Sequence, residues 1–194
     1  MTLILASSSA IRRSLLDQAG VRYEAQPPDV DERALEAAHE GHDFELALAL
    51  AEAKALQVAA GFPNDWVIGA DSIISVEGQR FRKPLDREEA ADHLRRFSGR
   101  PMRLVSAVAL AKGTSVEWNH IADAVLHVRP LSDAYIEAYL DAEWPAVAYC
   151  VGVFRMEGRG VTLFDEVEGD HFTILGMPLL PLLGALRERQ LMAS

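Results

Sequence analysis

Residues 67–84 read VIGADSIISVEGQRFRKP. Val67-Ile68-Gly69-Ala70 is a short apolar run of strand type, interrupted by Asp71 and Ser72 before Ile73 and Ile74 resume it. Glu77-Gly78 marks a tight turn, and the chain comes back through Arg82-Lys83-Pro84. A carboxylate set among strand residues is costly unless it is paired, hydrogen-bonded or bound to a metal. Gly69 and Ala70 have almost no side chain, so a ligand or another stretch of backbone can come close there. An acid followed by two cations suits a metal-bound phosphate substrate. A solvated Asp at a strand end, followed by a basic hairpin, explains this stretch equally well.

Outward from this stretch the pattern is one of alternating strands and helices. Leu3-Ile4-Leu5-Ala6 reads as a buried strand, Ser7-Ser8-Ser9 as a turn, and 11–19 as a helix with Ile11, Leu15, Leu16 and Ala19 on one face. Free N–H groups and hydroxyls at a helix start make an anion site. Arg12 and Arg13 stand in the first turn, where the helix dipole disfavours cations unless an anion is shared. The plainer reading is a serine N-cap with solvated arginines. Residues 23–25 suggest a second strand, and Pro27-Pro28 an extended path leading into the acidic loop Asp29-Val30-Asp31-Glu32. Such a loop can hold a divalent cation or simply be solvated. Residues 44–60 form a helix in which Lys54 is the one cation, and a lone helical lysine usually faces solvent. Asp86 with Glu89 caps a helix over 86–97. Strands are expected at 102–111, 116–121, 124–128, 161–164 and 172–175. Helices are expected at 133–140 and 177–191. The alternation predicts an α/β fold built on a mixed β-sheet, with residues 1–194 forming one domain.

Composition narrows the function. The chain has 194 residues, with 49% apolar and 25% charged, the profile of an ordinary soluble protein. Lys+Arg 19 against Asp+Glu 29 leaves −10, which argues against a nucleic-acid polymer or a membrane surface as partner. It leaves room for a small anion held by a few local cations. One cysteine, Cys150, excludes an internal disulfide and a multi-cysteine zinc site. With no secretory signal in view, a cytoplasmic location is expected.

Several separate motifs together resemble the Maf family of nucleotide pyrophosphatases, first named as septum-formation inhibitors. They are Leu5-Ala6-Ser7-Ser8-Ser9-Ala10-Ile11-Arg12-Arg13 with Leu15-Leu16, Pro28-Asp29-Val30-Asp31-Glu32, Ala51-Glu52-Ala53-Lys54-Ala55, Gly69-Ala70-Asp71-Ser72, Lys83-Pro84, Leu94-Arg95-Arg96-Phe97-Ser98-Gly99, Glu157-Gly158-Arg159-Gly160 and Leu175-Gly176-Met177-Pro178-Leu179. The resemblance implies hydrolysis of a nucleoside triphosphate, ordinary or modified, to the monophosphate and pyrophosphate. It implies a fold similar to that of inosine-triphosphate pyrophosphatases, an elongated mixed sheet flanked by helices with a central cleft. Asp71 matches the family's catalytic acid, and Ser7, Ser9, Arg13, Lys54 and Lys83 match its phosphate-binding positions, with Arg12 beside them. Glu32 matches an acidic position near the cleft. A divalent cation, Mg²⁺ or Mn²⁺, on Asp71 and Glu32 and a homodimer are implied as well.

The chain also departs from the family pattern. Ala10 stands where proline is usual, and Ile11 where a large or basic residue is common. Ala148-Tyr149-Cys150-Val151-Gly152 replaces the family's Asp-Lys-Ala-Gly segment. Ser72 resembles the branch acting on dTTP and UTP, and Glu157 the branch acting on 7-methyl-GTP. Ile11, Ser72 and Glu157 are therefore the candidate readers of the base. A nucleotide-binding regulator of cell division that does not turn its ligand over is the competing reading.

Overall fold

The computed structural model describes residues 2–39 and 41–193. The protein is α/β, with a seven-stranded mixed sheet in the order β2-β1-β3-β5-β6-β7 and β4 paired to β3. The strands are β1 Leu3–Ala6, β2 Glu24–Ala25, β3 Trp66–Val76, β4 Gln79–Phe81, β5 Pro101–Lys112, β6 Ser115–Val128 and β7 Phe164–Gly169. The helices are α1 Ala10–Gln18, α2 Glu32–Ala38, α3 Asp43–Ala59, α4 Arg87–Phe97, α5 Asp133–Glu143, α6 His171–Ile174 and α7 Leu179–Glu188. Two compact units form. One contains the chain up to Ser72, Val105–Ala122 and the chain from Asp170 on; the other contains Ile73–Leu104 and Asp123–Gly169. No helix among the described residues is long and apolar enough to cross a membrane.

In the first unit β1 runs parallel to both β2 and β3. Its register pairs Leu3 with Trp66 and Ala6 with Gly69. That register alone sets the serine turn after Ala6 beside Ala70 and Asp71. All four β1 residues are buried, so hydrophobic burial on both faces holds the strand in place. The helix α3 buries Leu46, Ala47, Leu50, Ala51, Ala55, Val58 and Ala59 along one stripe. Small residues on that stripe let the helix approach β3 closely. A Cβ on Gly69 would lie 2.1 Å from the Ala51 carbonyl oxygen and 2.6 Å from the Ala55 backbone nitrogen. It is therefore a helix backbone that Gly69 admits. Gly69→Ala is expected to push α3 away from β3 and to cost about 1–3 kcal/mol, the usual range for overpacking. Urea unfolding measures it, and an unchanged midpoint would mean that the helix can retreat freely.

Three sequence expectations change in this unit. The acidic loop is in part the helix α2, started by Asp31, whose side chain accepts the Ala34 N–H at 3.0 Å. The two prolines and the run of carboxylates concealed it. Residues 172–175 are not a strand. Asp170 accepts from the Thr173 N–H at 3.0 Å and from its hydroxyl at 3.3 Å, which closes the turn α6. Gly176 then stops it with φ +93. The last helix is shorter than expected and begins after Pro178.

In the second unit β3 continues as one strand through Val76 and turns at Glu77-Gly78 into β4, as expected. Two predicted strands, 116–121 and 124–128, are a single 14-residue strand, β6. Residues 159–163 are a 3-10 turn instead of a strand. The Thr162 hydroxyl donates to the Arg159 carbonyl at 2.7 Å, and Gly160 packs directly on the Arg155 backbone. The strand that follows, β7, is polar and exposed, a guarded edge that hydrophobic patterning cannot find. It pairs antiparallel with β6, and His127, to which the sequence assigned no role, meets Glu168 across that pair at 2.7 Å.

A histidine packs against the aromatic core of this unit. His93 on α4 lies edge-on to Phe81, with ring centroids 5.1 Å apart, and beside Phe97. Its side chain is 11% exposed, and its Nδ1 is buried without a hydrogen bond among the described residues. Burial holds its pKa below the ordinary value, opposed by Glu89 and Asp92 and helped by Arg96. The native state thus prefers neutral His93. Its contribution to stability is complete above the unfolded-state pKa of about 6.5 and is lost as pH falls through that value toward the lower native one. Stability should fall below about pH 6.5 by at most ~1.4 kcal/mol per pH unit from this residue. His93→Leu should flatten that slope in urea titrations at several pH values; an unchanged slope would remove His93 from the account.

Candidate active site

The parallel pair β1–β3 delivers the chemistry-bearing residues of the first unit to one place. Asp71 lies in mid-strand on β3, 8% exposed, and not at a solvated strand end. Its Oδ1 accepts a hydrogen bond from the Lys54 ammonium. Lys54 does not face solvent. It sits on the buried stripe of α3, 6% exposed, one turn from Leu50 and from Val58. Glu32, in the first turn of α2, reaches the same ammonium at 2.7 Å. Two carboxylates from different elements thus converge on one buried cation. The cost of burying Lys54 and Asp71 is met by their pairing and by Glu32.

Of the two neighbouring arginines, Arg12 turns inward and Arg13 does not. Arg12 Nε donates to the Gly176 carbonyl at 2.9 Å, Nη1 to the Ala70 carbonyl at 2.8 Å and Nη2 to the Ser72 hydroxyl at 3.1 Å. Burial pulls its pKa below the usual guanidinium value, while the charges of Asp71 and Glu32 act in the opposite direction. The side chain remains a cation. Arg13 is exposed, and its Nη2 makes a 3.4 Å contact with the Ser8 carbonyl. The turn between β1 and α1 is built by its serines. The Ser7 hydroxyl accepts from the Ser9 N–H at 3.1 Å, and Ser9 is the N-cap of α1, with a long 3.5 Å contact to the Arg12 N–H. Ser7 is buried, whereas Ile11 and Ser72 are half-buried.

Lys83 and Glu157 belong to the second unit, and both are exposed. Burial pushes the Cys150 thiol up to about 11; Glu157 and Glu143 add to this, while Arg155 and Lys83 oppose it. A thiol so far from ionising is no nucleophile near neutral pH. Arg155 is held on the buried carboxylate of Glu143 at 2.8 Å.

Sequence reasoning missed the interior hydroxyls Ser106 and Thr173, both essentially unexposed. Ser106 bonds to Ser72 at 2.9 Å and donates to the Thr173 carbonyl at 2.8 Å. A lone serine within the apolar run of β5 was the available signal.

The family model described as "Maf-like protein" matches residues 2–189. The chain belongs to the Maf-like family. Among its relatives is the 7-methyl-GTP pyrophosphatase of Rhizobium etli, 47% identical over 189 residues that cover 96% of this chain and 95% of that one. Another is the nucleoside triphosphate pyrophosphatase of Sphingopyxis alaskensis, also 47% identical, covering 96% of each chain. The structure of the Staphylococcus aureus Ham1 protein aligns with a TM-score of 0.47 at 16% identity, covering 97% of this chain and 98% of that one.

Proposed function

We propose that this Maf-like protein is a nucleoside triphosphate pyrophosphatase: one water cleaves the α–β anhydride bond to give a nucleoside monophosphate and pyrophosphate. The observation that carries this reading is the buried Asp71, tied to Lys54 and flanked by Arg12, beside the serine turn at the end of a parallel strand. Ligands of α/β sheets characteristically bind at such strand ends. Relatives named for this reaction share nearly half of the sequence.

Each residue has a proposed task. Asp71 takes the proton of the attacking water or holds the metal that polarises it. Lys54, Arg12 and the α1 N-terminus with Ser7 and Ser9 neutralise phosphate oxygens, and the N–H groups of Arg12 not committed to the protein remain for that purpose. Arg13 and Lys83 are assigned to the outer phosphates. The two carboxylates that meet on Lys54 form a hard oxygen donor set, the kind that holds Mg²⁺ or Mn²⁺ together with substrate phosphates. Asp71 and Glu32 would be its ligands. Such a cation, when bound, withdraws charge from the phosphoryl oxygens. Ile11, Ser72 and Glu157 are the proposed readers of the base. The Ser72 hydroxyl is already engaged by Arg12 and Ser106, so the weight falls on Ile11 and Glu157. The same reading takes residues 1–194 as one functional domain, cytoplasmic and dimeric.

A product assay tests the proposal, with Mg²⁺ and a panel of dTTP, UTP, GTP and 7-methyl-GTP. Pyrophosphate is the expected product, and the ranking of substrates reports the base. Orthophosphate in its place would indicate cleavage of a terminal phosphate. Tight binding with no product would favour the regulator.

A further inference from the structure

Ser106 lies on β5, fully buried, and its hydroxyl bonds to Ser72 and to the Thr173 carbonyl. A serine hydroxyl has a single proton. Ser106 places that proton on the Thr173 carbonyl at 2.8 Å. Toward Ser72, 2.9 Å away, it can therefore act only as an acceptor. The Ser72 proton then goes to Ser106, and the Ser72 lone pairs are left for Arg12 Nη2 at 3.1 Å. The result is a chain of one polarity, from Arg12 to Ser72 to Ser106 to the Thr173 carbonyl. Without Ser106, the nearest other acceptor for Ser72 is the Gly176 carbonyl at 3.4 Å. That carbonyl already takes Arg12 Nε at 2.9 Å. Loss of Ser106 would thus leave the Ser72 proton only the long contact to the Gly176 carbonyl, beside Arg12 Nε, and would turn the hydroxyl away from the direction in which it receives Arg12 Nη2.

We propose that Ser106 is a positioning residue: by fixing the direction of the Ser72 hydroxyl, it locks the Arg12 guanidinium in the orientation that receives phosphate. The inference rests on the reading of Arg12 as a phosphate ligand. The serine acts through two intervening groups and meets no substrate itself. Ser106→Ala should weaken binding about tenfold, the worth of a hydrogen bond that orients a charged group. Ser106→Thr keeps the hydroxyl and should restore most of the affinity.

The test is a double-mutant cycle read by calorimetry with inorganic pyrophosphate in Mg²⁺ buffer, so that turnover is not needed. The variants are Ser106→Ala, Ser106→Thr and Arg12→Met, with Ser106→Ala combined with Arg12→Met; thermal unfolding is followed alongside. If Ser106 works through Arg12, Ser106→Ala changes affinity in the wild type and leaves it unchanged once Arg12 is methionine. Equal losses in both backgrounds, or a lower Tm with affinity intact, overturn the inference and leave Arg12 as a phosphate ligand. Unchanged affinity in Arg12→Met alone overturns both.

Discussion

Asp71→Asn is expected to lower kcat by at least about 10²–10⁴-fold, the usual contribution of a positioned general base, while the protein stays folded. The substitution is nearly isosteric and removes one negative charge. Lys54 keeps Glu32 at 2.7 Å as counter-charge, so its ammonium is not stranded. The loss in stability is accordingly small, about 1 kcal/mol for a weakened hydrogen bond. Steady-state release of pyrophosphate and thermal unfolding check the two halves of the prediction. Turnover within about tenfold of wild type would remove Asp71 from the reaction, since a base worth that little is no base.

How much of this was legible depends on which force placed each residue. The β1–turn–α1 start, the β3–β4 hairpin and the helices α3, α4 and α5 follow from local patterning and capping, and the structure has them within a few residues. Asp71 stood out because it interrupts an apolar strand, and burial of that strand is what makes the acid expensive and informative. Lys54 was harder to place. Its spacing from Leu50 and Val58 puts it on the buried stripe of α3, but composition assigns a lone lysine to water; only the tertiary approach of Asp71 and Glu32 overrides that preference. Arg12 and Arg13 are neighbours with the same chemistry, and only the direction of the helix relative to β3 decides which one turns inward. Ser106 was invisible as a site residue because its role depends on hydrogen-bond partners 34 and 67 positions away in the chain. The polar edge β7 and the turn α6 went astray because side-chain bonds and edge position, rather than apolar periodicity, determine them.

Lys54→Met should be the most destabilising single change at the site, by about 3–5 kcal/mol, because it removes one partner of a buried ion pair and leaves the other charge in place. The two partners are not equivalent. Asp71 is 8% exposed and has little access to water, whereas more than half of the Glu32 side chain is exposed and can be solvated. The penalty therefore falls on Asp71, reduced by the nearby charge of Arg12. Neutralising the stranded group should remove it. The double variant Lys54→Met with Asp71→Asn is expected to unfold at a higher urea concentration than Lys54→Met alone, although both lack turnover. Glu32→Gln in the Lys54→Met background should recover little, since that carboxylate already reaches solvent. Urea unfolding of the four proteins separates the contributions. A double variant no more stable than Lys54→Met would mean that the lysine contributes packing by its methylene stem and not a counter-charge to Asp71. Recovery by Glu32→Gln instead would move the buried charge, and with it the centre of the site, from β3 to α2.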